Sequence, residues 1–477
     1  MFLPRLVERS PAPAYLIPLV IGLGLLMQGL EGTAIATALP TMARALGESP
    51  VRLNLAISAY MLSVAVCIPV SGWMANRFGA RNVFCAAMAL FALSSTLCGL
   101  SSSLPQLIAA RILQGVAGAL MTPVGRVVLL RATPREQIVQ AMSILTVPAV
   151  LGPIIGPLVG GLIVEAASWR WIFFLSAPVG LAGVIAAILI IPDLGGEPAG
   201  PLDLRGLAMA GGGVAALVSA LGEVGQSNWP PCAIVGGVTL GALSLLAYAS
   251  HARRARAPVL DLSLLRSPPM QVAILGGGIW RVAMGASPLL LVLLLQVGFG
   301  LPPLKSAVIS FAGAMGALLM KGPATLLLRR YGFRRVLIVN GVLTSVLLGG
   351  IGLFQASTPH AMIFGLLLIG GFLRSLQFTA LGTLCYADVP DTALGGASAL
   401  ASTTQELAQS LGVAAAAVTL QSLLVLRHGE ALSGQDISIS FFVMGGLSLL
   451  ALPLFGRLPA GAGDVLSGRS GVAIVKV

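Results

Sequence analysis

The chain has 477 residues, 57% of them hydrophobic and only 9% charged, against about 25% charged in a soluble domain, so no water-soluble fold suits it. A formal net charge of +12 would fit a nucleic-acid binder if Lys and Arg gathered on a soluble face, but here they fall in short loops between apolar stretches. Five cysteines, Cys67, Cys85, Cys98, Cys232 and Cys385, have neither the close pairing of metal ligands nor the even count of a disulfide framework, and they read as small buried hydrophobes.

After Arg5 and Arg9 an apolar run begins that is too long for the core of a cleaved leader, and it reads as an uncleaved first span. About fourteen such stretches follow one another, each near the ~20 residues a helix needs to cross a ~30 Å hydrocarbon slab. They run roughly Tyr15 to Leu39, Leu53 to Ala75, Asn82 to Leu100, Gln106 to Leu130, Gln137 to Val164, Trp169 to Ile191, Asp203 to Gly222 and Pro231 to Ser250. Six more run roughly Met270 to Val297, Leu304 to Leu328, Arg334 to Gln355, His360 to Tyr386, Gly396 to Leu426 and Ile437 to Phe455. The expected fold is an all-α polytopic membrane protein with both termini on one side. Most loop Lys and Arg residues, from Arg5 to Lys476, fall on that side; only Arg44, Arg52, Arg170, Lys305 and Arg427 fall on the other. The positive-inside rule then predicts cytoplasmic termini.

The loop after span two reads Asn76-Arg77-Phe78-Gly79-Ala80-Arg81, and the loop after span ten reads Arg329-Arg330-Tyr331-Gly332-Phe333-Arg334. Two basic turns around one glycine, eight spans apart, predict an internal repeat. Residues 1–192 would form one six-helix half, 193–258 a linker with two inserted spans, 259–460 the second half and 461–477 a cytoplasmic tail. Repeated halves place a transport site at their interface, near the bilayer midplane.

Within the spans remain the basic residues Arg111, Arg126, Arg281, Lys321 and Arg374 and the acids Glu31 and Glu406. An ionisable group there costs ~3 kcal/mol even on the lenient insertion scale and is functional by default; the bland alternative is a structural ion pair, or snorkelling for Arg126 and Lys321. Glu31 lies roughly 14 Å by helical rise from the outer end of span one. Desolvation favours a protonated carboxyl and a neighbouring cation an ionised one, a balance that lets such a group bind and release a proton. In span four, Arg111, Gln114, Gly115 and Gly118 share one helix face. Span five carries Pro148, Gly152, Pro153, Gly156, Pro157, Gly160 and Gly161, which predicts a kinked, closely packed helix, either simply tight or placed between the halves to rock and seal. Gln28, Thr33, Gln114, Gln296, Gln377 and Gln405 sit at pocket depth, with Arg281, Lys321 and Arg374 able to attract anions.

These residues carry a resemblance over nearly the whole chain. Leu30-Glu31-Gly32-Thr33 through Ala38-Leu39-Pro40, Gly72 to Arg81, Arg111 to Gly118, Gly152-Pro153 through Gly160-Gly161, and Trp169 to Phe173 with Pro178-Val179-Gly180 resemble, in order, the motifs of the major facilitator superfamily, in its fourteen-helix drug:proton antiporter (EmrB/QacA-like) branch. The resemblance implies two six-helix bundles plus two inserted helices in a bacterial inner membrane, exporting amphipathic drugs or toxic small molecules in exchange for protons. It implies proton coupling through Glu31 and Arg111, a gating loop of Gly72, Asn76, Arg77, Gly79 and Arg81, and an antiporter motif of Gly152, Pro153, Gly156, Pro157, Gly160 and Gly161. Glu406, as the other buried acid, is added to the coupling residues, and depth and charge draw the substrate pocket from Gln28, Thr33, Gln114, Arg281, Gln296, Arg374, Gln377 and Gln405. Two departures stand out: Glu31 replaces the usual Asp, and Asn76 replaces an Asp whose charge latches the loop.

No cofactor and no metal are expected, the gradient being the energy source, since no Gly-x-x-x-x-Gly-Lys-Ser/Thr phosphate loop occurs. Expected partners are a small-molecule substrate, H+ and the lipid bilayer, with no nucleic acid; a periplasmic adaptor is the one optional protein partner of an otherwise monomeric chain. An exporter or symporter of one metabolite with the same fold is the alternative. An enzyme is disfavoured because His251, His360 and His428 are far apart in sequence and no metal-peptidase or nucleophile-elbow pattern occurs.

Overall fold

The structure is a computed structural model that describes residues 15–196, 200–224, 229–427 and 432–469; Arg5, Arg9, His428 and Lys476 lie outside the described residues. Thirteen helices among them are long and apolar enough to cross a membrane. The first six are Leu16–Ile35, Arg52–Phe78, Ala80–Leu100, Leu104–Ala132, Arg135–Ala166 and Arg170–Ile190; spans seven and eight are Leu204–Gly222 and Pro231–Ala252. Spans nine and eleven to fourteen are Pro268–Gly298, Phe333–Leu353, His360–Leu384, Asp391–Leu426 and Gly434–Gly456.

Span ten departs from the single helix expected: Lys305–Leu319 and Pro323–Tyr331 meet at 59°. Pro323 has no N–H to give to residue 319 and its ring crowds that carbonyl, so the helix breaks over Met320, Lys321 and Gly322. Span nine is wound more loosely at both ends, with π turns at Val272–Gly276 and Leu294–Gly298. The first helix outlasts its span, running Leu16–Leu46 and stopping at Gly47, whose φ of 67° is the left-handed stop that glycine permits.

Spans one to six pack on one another, as do spans nine to fourteen. Spans seven and eight pair together, and span seven touches both span two and span thirteen. Asp203 and His251 join the ends of this pair at 2.9 Å, while the Tyr248 hydroxyl donates to the Leu260 carbonyl at 2.7 Å.

The glycines of span five lie against span one. A Cβ at Gly152 would stand 2.6 Å from the Leu26 carbonyl oxygen, and one at Gly160 would stand 2.8 Å from that of Ala34; Gly156 meets Leu30 and Thr33 in the same way. Pro148 and Pro153 of span five fit over Gly22 and Gly29 of span one. Two backbones can approach so closely only where side chains are absent. Span five also touches spans ten and twelve, so it packs closely on span one along its glycine face and meets the other bundle elsewhere.

Gly79 and Gly332, the paired glycines of the two basic loops, both have positive φ, 83° and 74°. Each is covered by chain that follows its bundle's last span: Gly79 by Gly195, and Gly332 by Arg469 and Asp464. Cys232 is exposed rather than buried, because it sits in the first turn of span eight, the least covered helix of the set.

Gly156→Ala should lower stability by about 1–3 kcal/mol through overpacking, whereas Gly161→Ala, which meets nothing within 4 Å, should be near neutral. Thermal unfolding of the two purified variants in lipid discs would compare them; equal midpoints would show that the span one–span five contact does not constrain the fold.

Candidate functional site

Glu31 has no solvent exposure. It lies on the side of span one turned away from span five, toward spans three, four and six. Its Oε2 accepts from the Ser95 hydroxyl at 2.8 Å and from the Ser176 hydroxyl at 2.7 Å, and its Oε1 accepts from Gln114 Nε2 at 2.5 Å. The Arg111 guanidinium is 3.7 Å from Oε1 and 3% exposed. Ser95 Oγ also lies 2.9 Å from the Phe173 carbonyl oxygen; a hydroxyl carries one proton, so it serves one of these acceptors at a time.

Arg111 is held from its other side as well. Its Nη1 donates to Gln114 Oε1 and its Nε to the Ala56 carbonyl at 3.4 Å. The guanidinium lies 4.3 Å from the centre of the Tyr60 ring, a cation–π contact that gains strength away from water. Gly115 and Gly118 make this stack possible: a Cβ at Gly115 would stand 2.6 Å from the Tyr60 carbonyl oxygen and one at Gly118 2.9 Å from the Tyr60 hydroxyl. Gln28 donates to that hydroxyl at 3.0 Å. Half-buried Glu406, less enclosed than its sequence position promised, has no hydrogen-bond partner among the described residues and lies near enough to Tyr60 to act on it electrostatically.

The remaining pocket candidates do not converge. Thr33 bonds to its own helix. Gln377 bridges Asn340 and Leu337 inside the second bundle. Gln405 accepts from Arg126 at 3.4 Å, so Arg126 spans the two bundles rather than snorkelling. Arg281 donates to the Ala273 carbonyl at 3.2 Å beneath the Phe378 ring. Lys321, at the break of span ten, reaches the Thr379 hydroxyl. Gln296 is half-buried in the last turn of span nine. Arg374 alone of the set borders the large cavity of the second bundle.

The bundles join at the end that carries the basic loops. Gly72 and Gly395 touch backbone to backbone, a Cβ at Gly395 standing 2.8 Å from the Gly72 carbonyl oxygen. Asn76 Nδ2 donates to the Thr392 carbonyl at 3.3 Å, and Asn76 Oδ1 accepts from Arg131 at 3.1 Å. Arg131 reaches on to the Asp391 carbonyl, and Arg135 to the Asp391 carboxylate at 3.4 Å. Deeper in, Ser398 donates to the Pro123 carbonyl at 2.8 Å. Arg81 turns the other way, to Asp193 at 3.5 Å and the Ile191 carbonyl. In this conformation the basic end is shut. Asn76, lacking the usual charge, works as a two-way hydrogen-bonding bridge.

Sequence reasoning missed Ser95, Ser176 and Tyr60, and on the second bundle Asp391, Thr392 and Gly395. The run Ser94-Ser95-Thr96 inside an otherwise apolar span was a usable signal; nothing local marked Ser176 or Tyr60 as partners of Glu31 and Arg111.

The sequence profile of the Major Facilitator Superfamily matches residues 21–413. The chain belongs to the major facilitator superfamily. It is 36% identical over 444 residues to a Pectobacterium carotovorum protein named "Putative multidrug resistance protein MdtD", covering 92% of this chain and 95% of that one. A Salmonella heidelberg protein of the same name is 35% identical over 450 residues, covering 92% and 94%. Among solved structures, the human organic anion transporter MFSD10 (TETRAN) superposes with a TM-score of 0.66 at 17% identity, covering 93% of this chain and 99% of that one. The proton:xylose symporter XylE gives 0.65 at 16% identity, covering 96% and 98%. At those identities the likeness is one of superfamily fold.

Arg131→Gln removes the guanidinium between Asn76 and Asp391, and Asn76→Asp exchanges the N–H that reaches Thr392 for a carboxylate. Spin labels at Glu136 and Thr392, read by double electron–electron resonance, should show longer distances in Arg131→Gln and a shifted distribution in Asn76→Asp. Distributions matching the unmutated protein would remove the latch role.

Proposed function

We propose that this chain exports amphipathic drugs or toxic small molecules across the bacterial inner membrane in exchange for protons, by alternating access between two six-helix halves. Residues 1–192 and 259–460 are the moving halves and the basic end faces the cytoplasm. The substrate leaves chemically unchanged and no cofactor takes part. The observation that carries the reading is a carboxyl with no exposure, Glu31, ringed by three hydrogen-bond donors and one guanidinium. The family-wide order of motifs and the names of the relatives support drug export over uptake.

The chemistry follows from proton bookkeeping on that ring. An ionised Glu31 accepts from Ser95, Ser176 and Gln114 and holds Arg111. Protonation turns one of its oxygens into a donor, releases the Ser95 proton to the Phe173 carbonyl and cancels the charge that restrains Arg111. Arg111 then rests on Gln114, Ala56 and the Tyr60 ring, so spans two and four are freed to shift against span one. Each proton moved inward supplies ~2.3 kcal/mol per 100 mV from the potential alone. Glu31 is sealed from the space between the halves, so substrate acts on it through Tyr60, Gln28 and Arg111 and does not displace its proton directly. Glu406 faces the same chain from the other half and suits a cationic substrate.

Energised inside-out vesicles with a pH-sensitive dye test this, using lipophilic cations, neutral drugs and anions. Some compounds should dissipate the gradient with the unmutated protein, Glu31→Gln should abolish the response, and Arg111→Lys, which cannot form the same fork of bonds, should reduce it roughly tenfold. A response retained in Glu31→Gln would end the coupling role; silence toward the whole panel would end the drug-export reading in favour of a single-metabolite carrier.

A further inference from the structure

Spans nine, ten, eleven and twelve of the second bundle line a half-open cavity of about 600 Å³. It lies inside one bundle, and Glu31, Arg111, Tyr60 and Glu406 are not among the residues that line it. Its walls are largely aliphatic, with Leu347, Leu353 and Met362 toward the outer loop that joins spans eleven and twelve. Polar groups are few: the Ser287, Ser310, Thr344 and Thr358 hydroxyls and the guanidinium of Arg374.

Arg374 is fourteen residues beyond His360, where span twelve begins, so it stands roughly 21 Å down the helix from the outer loop. Among the described residues no carboxylate and no hydrogen-bond acceptor reaches it. The other long cations of this bundle's interior do have partners, Lys321 on Thr379 and Arg281 on Ala273. The Ser310 hydroxyl is likewise buried and without a partner. Gly313 of span ten lies beside the guanidinium, a Cβ there standing at ordinary contact distance, 4.0 Å, from Arg374 Nη2. Gly371 packs directly on the Gly313 backbone, which draws spans ten and twelve together beside the cavity.

A cation at that depth is retained at a cost of several kcal/mol unless something pairs with it. An apolar chamber with one unpaired, bidentate donor at its inner end matches an apolar body with one acidic group. We propose that this cavity binds an amphipathic organic anion, a carboxylate or sulfonate, whose acidic group pairs with the Arg374 guanidinium while its apolar body fills the space toward Leu347, Leu353 and Met362. Ser310 supplies a further donor near the head group. This is a second ligand site in addition to the antiport path, and it stands without that reading because binding needs no gradient.

The test uses the full chain in phosphatidylcholine discs, titrated calorimetrically with naphthalene-1-sulfonate and with its neutral analogue naphthalene-1-sulfonamide. The unmutated protein should bind the sulfonate saturably and more tightly than the sulfonamide. Arg374→Gln should weaken the sulfonate roughly tenfold or more and leave the sulfonamide unchanged, which also certifies the fold; Arg374→Lys should recover part of the loss. Leu347→Trp, which fills the chamber, should weaken both ligands and carries the test if Arg374→Gln does not fold. Equal sulfonate affinity in the unmutated protein and Arg374→Gln, no preference for the sulfonate, or undiminished binding in Leu347→Trp would overturn the proposal. Loss of sulfonate binding when phosphatidylglycerol replaces part of the phosphatidylcholine would also overturn it, by assigning the site to a lipid headgroup. Failure of the vesicle experiment with this binding intact would strike the transport reading alone.

Discussion

A charge inside a hydrocarbon slab must find a partner or lose its charge, and that constraint organises the molecule. At Glu31 and Arg111 of the first bundle it is met completely. One acid, one base, two hydroxyls and an amide close on one another, so the acid's state is set by its neighbours and not by solvent. Because the ring draws on spans one, three, four and six, with Tyr60 and Ala56 of span two behind it, a change at one oxygen is felt in five helices. In the second bundle the constraint is met only in part, with cations resting on neutral hydroxyls and carbonyls and one, Arg374, without a partner among the described residues. The two bundles repeat a fold but not an electrostatic design.

The ring holds its geometry because span one is fixed from behind. Glycines 152, 156 and 160 admit the span one backbone so closely that rotation about its axis would drive span one against span five. Glu31 is thereby aimed at its donors by packing on the opposite face of its own helix. Closure at the basic end uses the same device at a second place, where Gly72 and Gly395 bring the bundles into backbone contact and let short polar bonds from Asn76, Arg131 and Ser398 reach across.

Much of the fold was legible in the sequence because hydrophobic length is a local property that a bilayer reads directly. The break in span ten was legible too, in Gly322-Pro323, yet a hydropathy window laid across both pieces passes over it. Glu31, Arg111 and Gln114 could be named from their cost at depth and their spacing on one helix. Ser95, Ser176 and Tyr60 could not, because serine and tyrosine carry no such cost and their role exists only once four helices are placed side by side. The supposed pocket residues failed to gather for the same reason: glutamines at equal depth on different helices point in directions that periodicity alone does not relate. Asn76, which sequence comparison casts as a weakened latch, gains its meaning from Thr392 of the other bundle and from Arg131 at the end of span four.

Spans seven and eight are easily passed over as an insertion, yet their placement bears on how the bundles move. Span seven leans on span two through Gly211, whose missing side chain lets it lie on the Val66 carbonyl, and on span thirteen through the cluster of Ala210, Tyr248, Leu260 and Leu400. Its loops are tied down as well, by the Trp73 indole donating to the Gly200 carbonyl and by Asp203 on His251. A helix gripped by both bodies cannot ride with both when they rotate apart. If the halves rock as proposed, one of its two faces must slide, so the inserted pair resists any motion that parts span two from span thirteen.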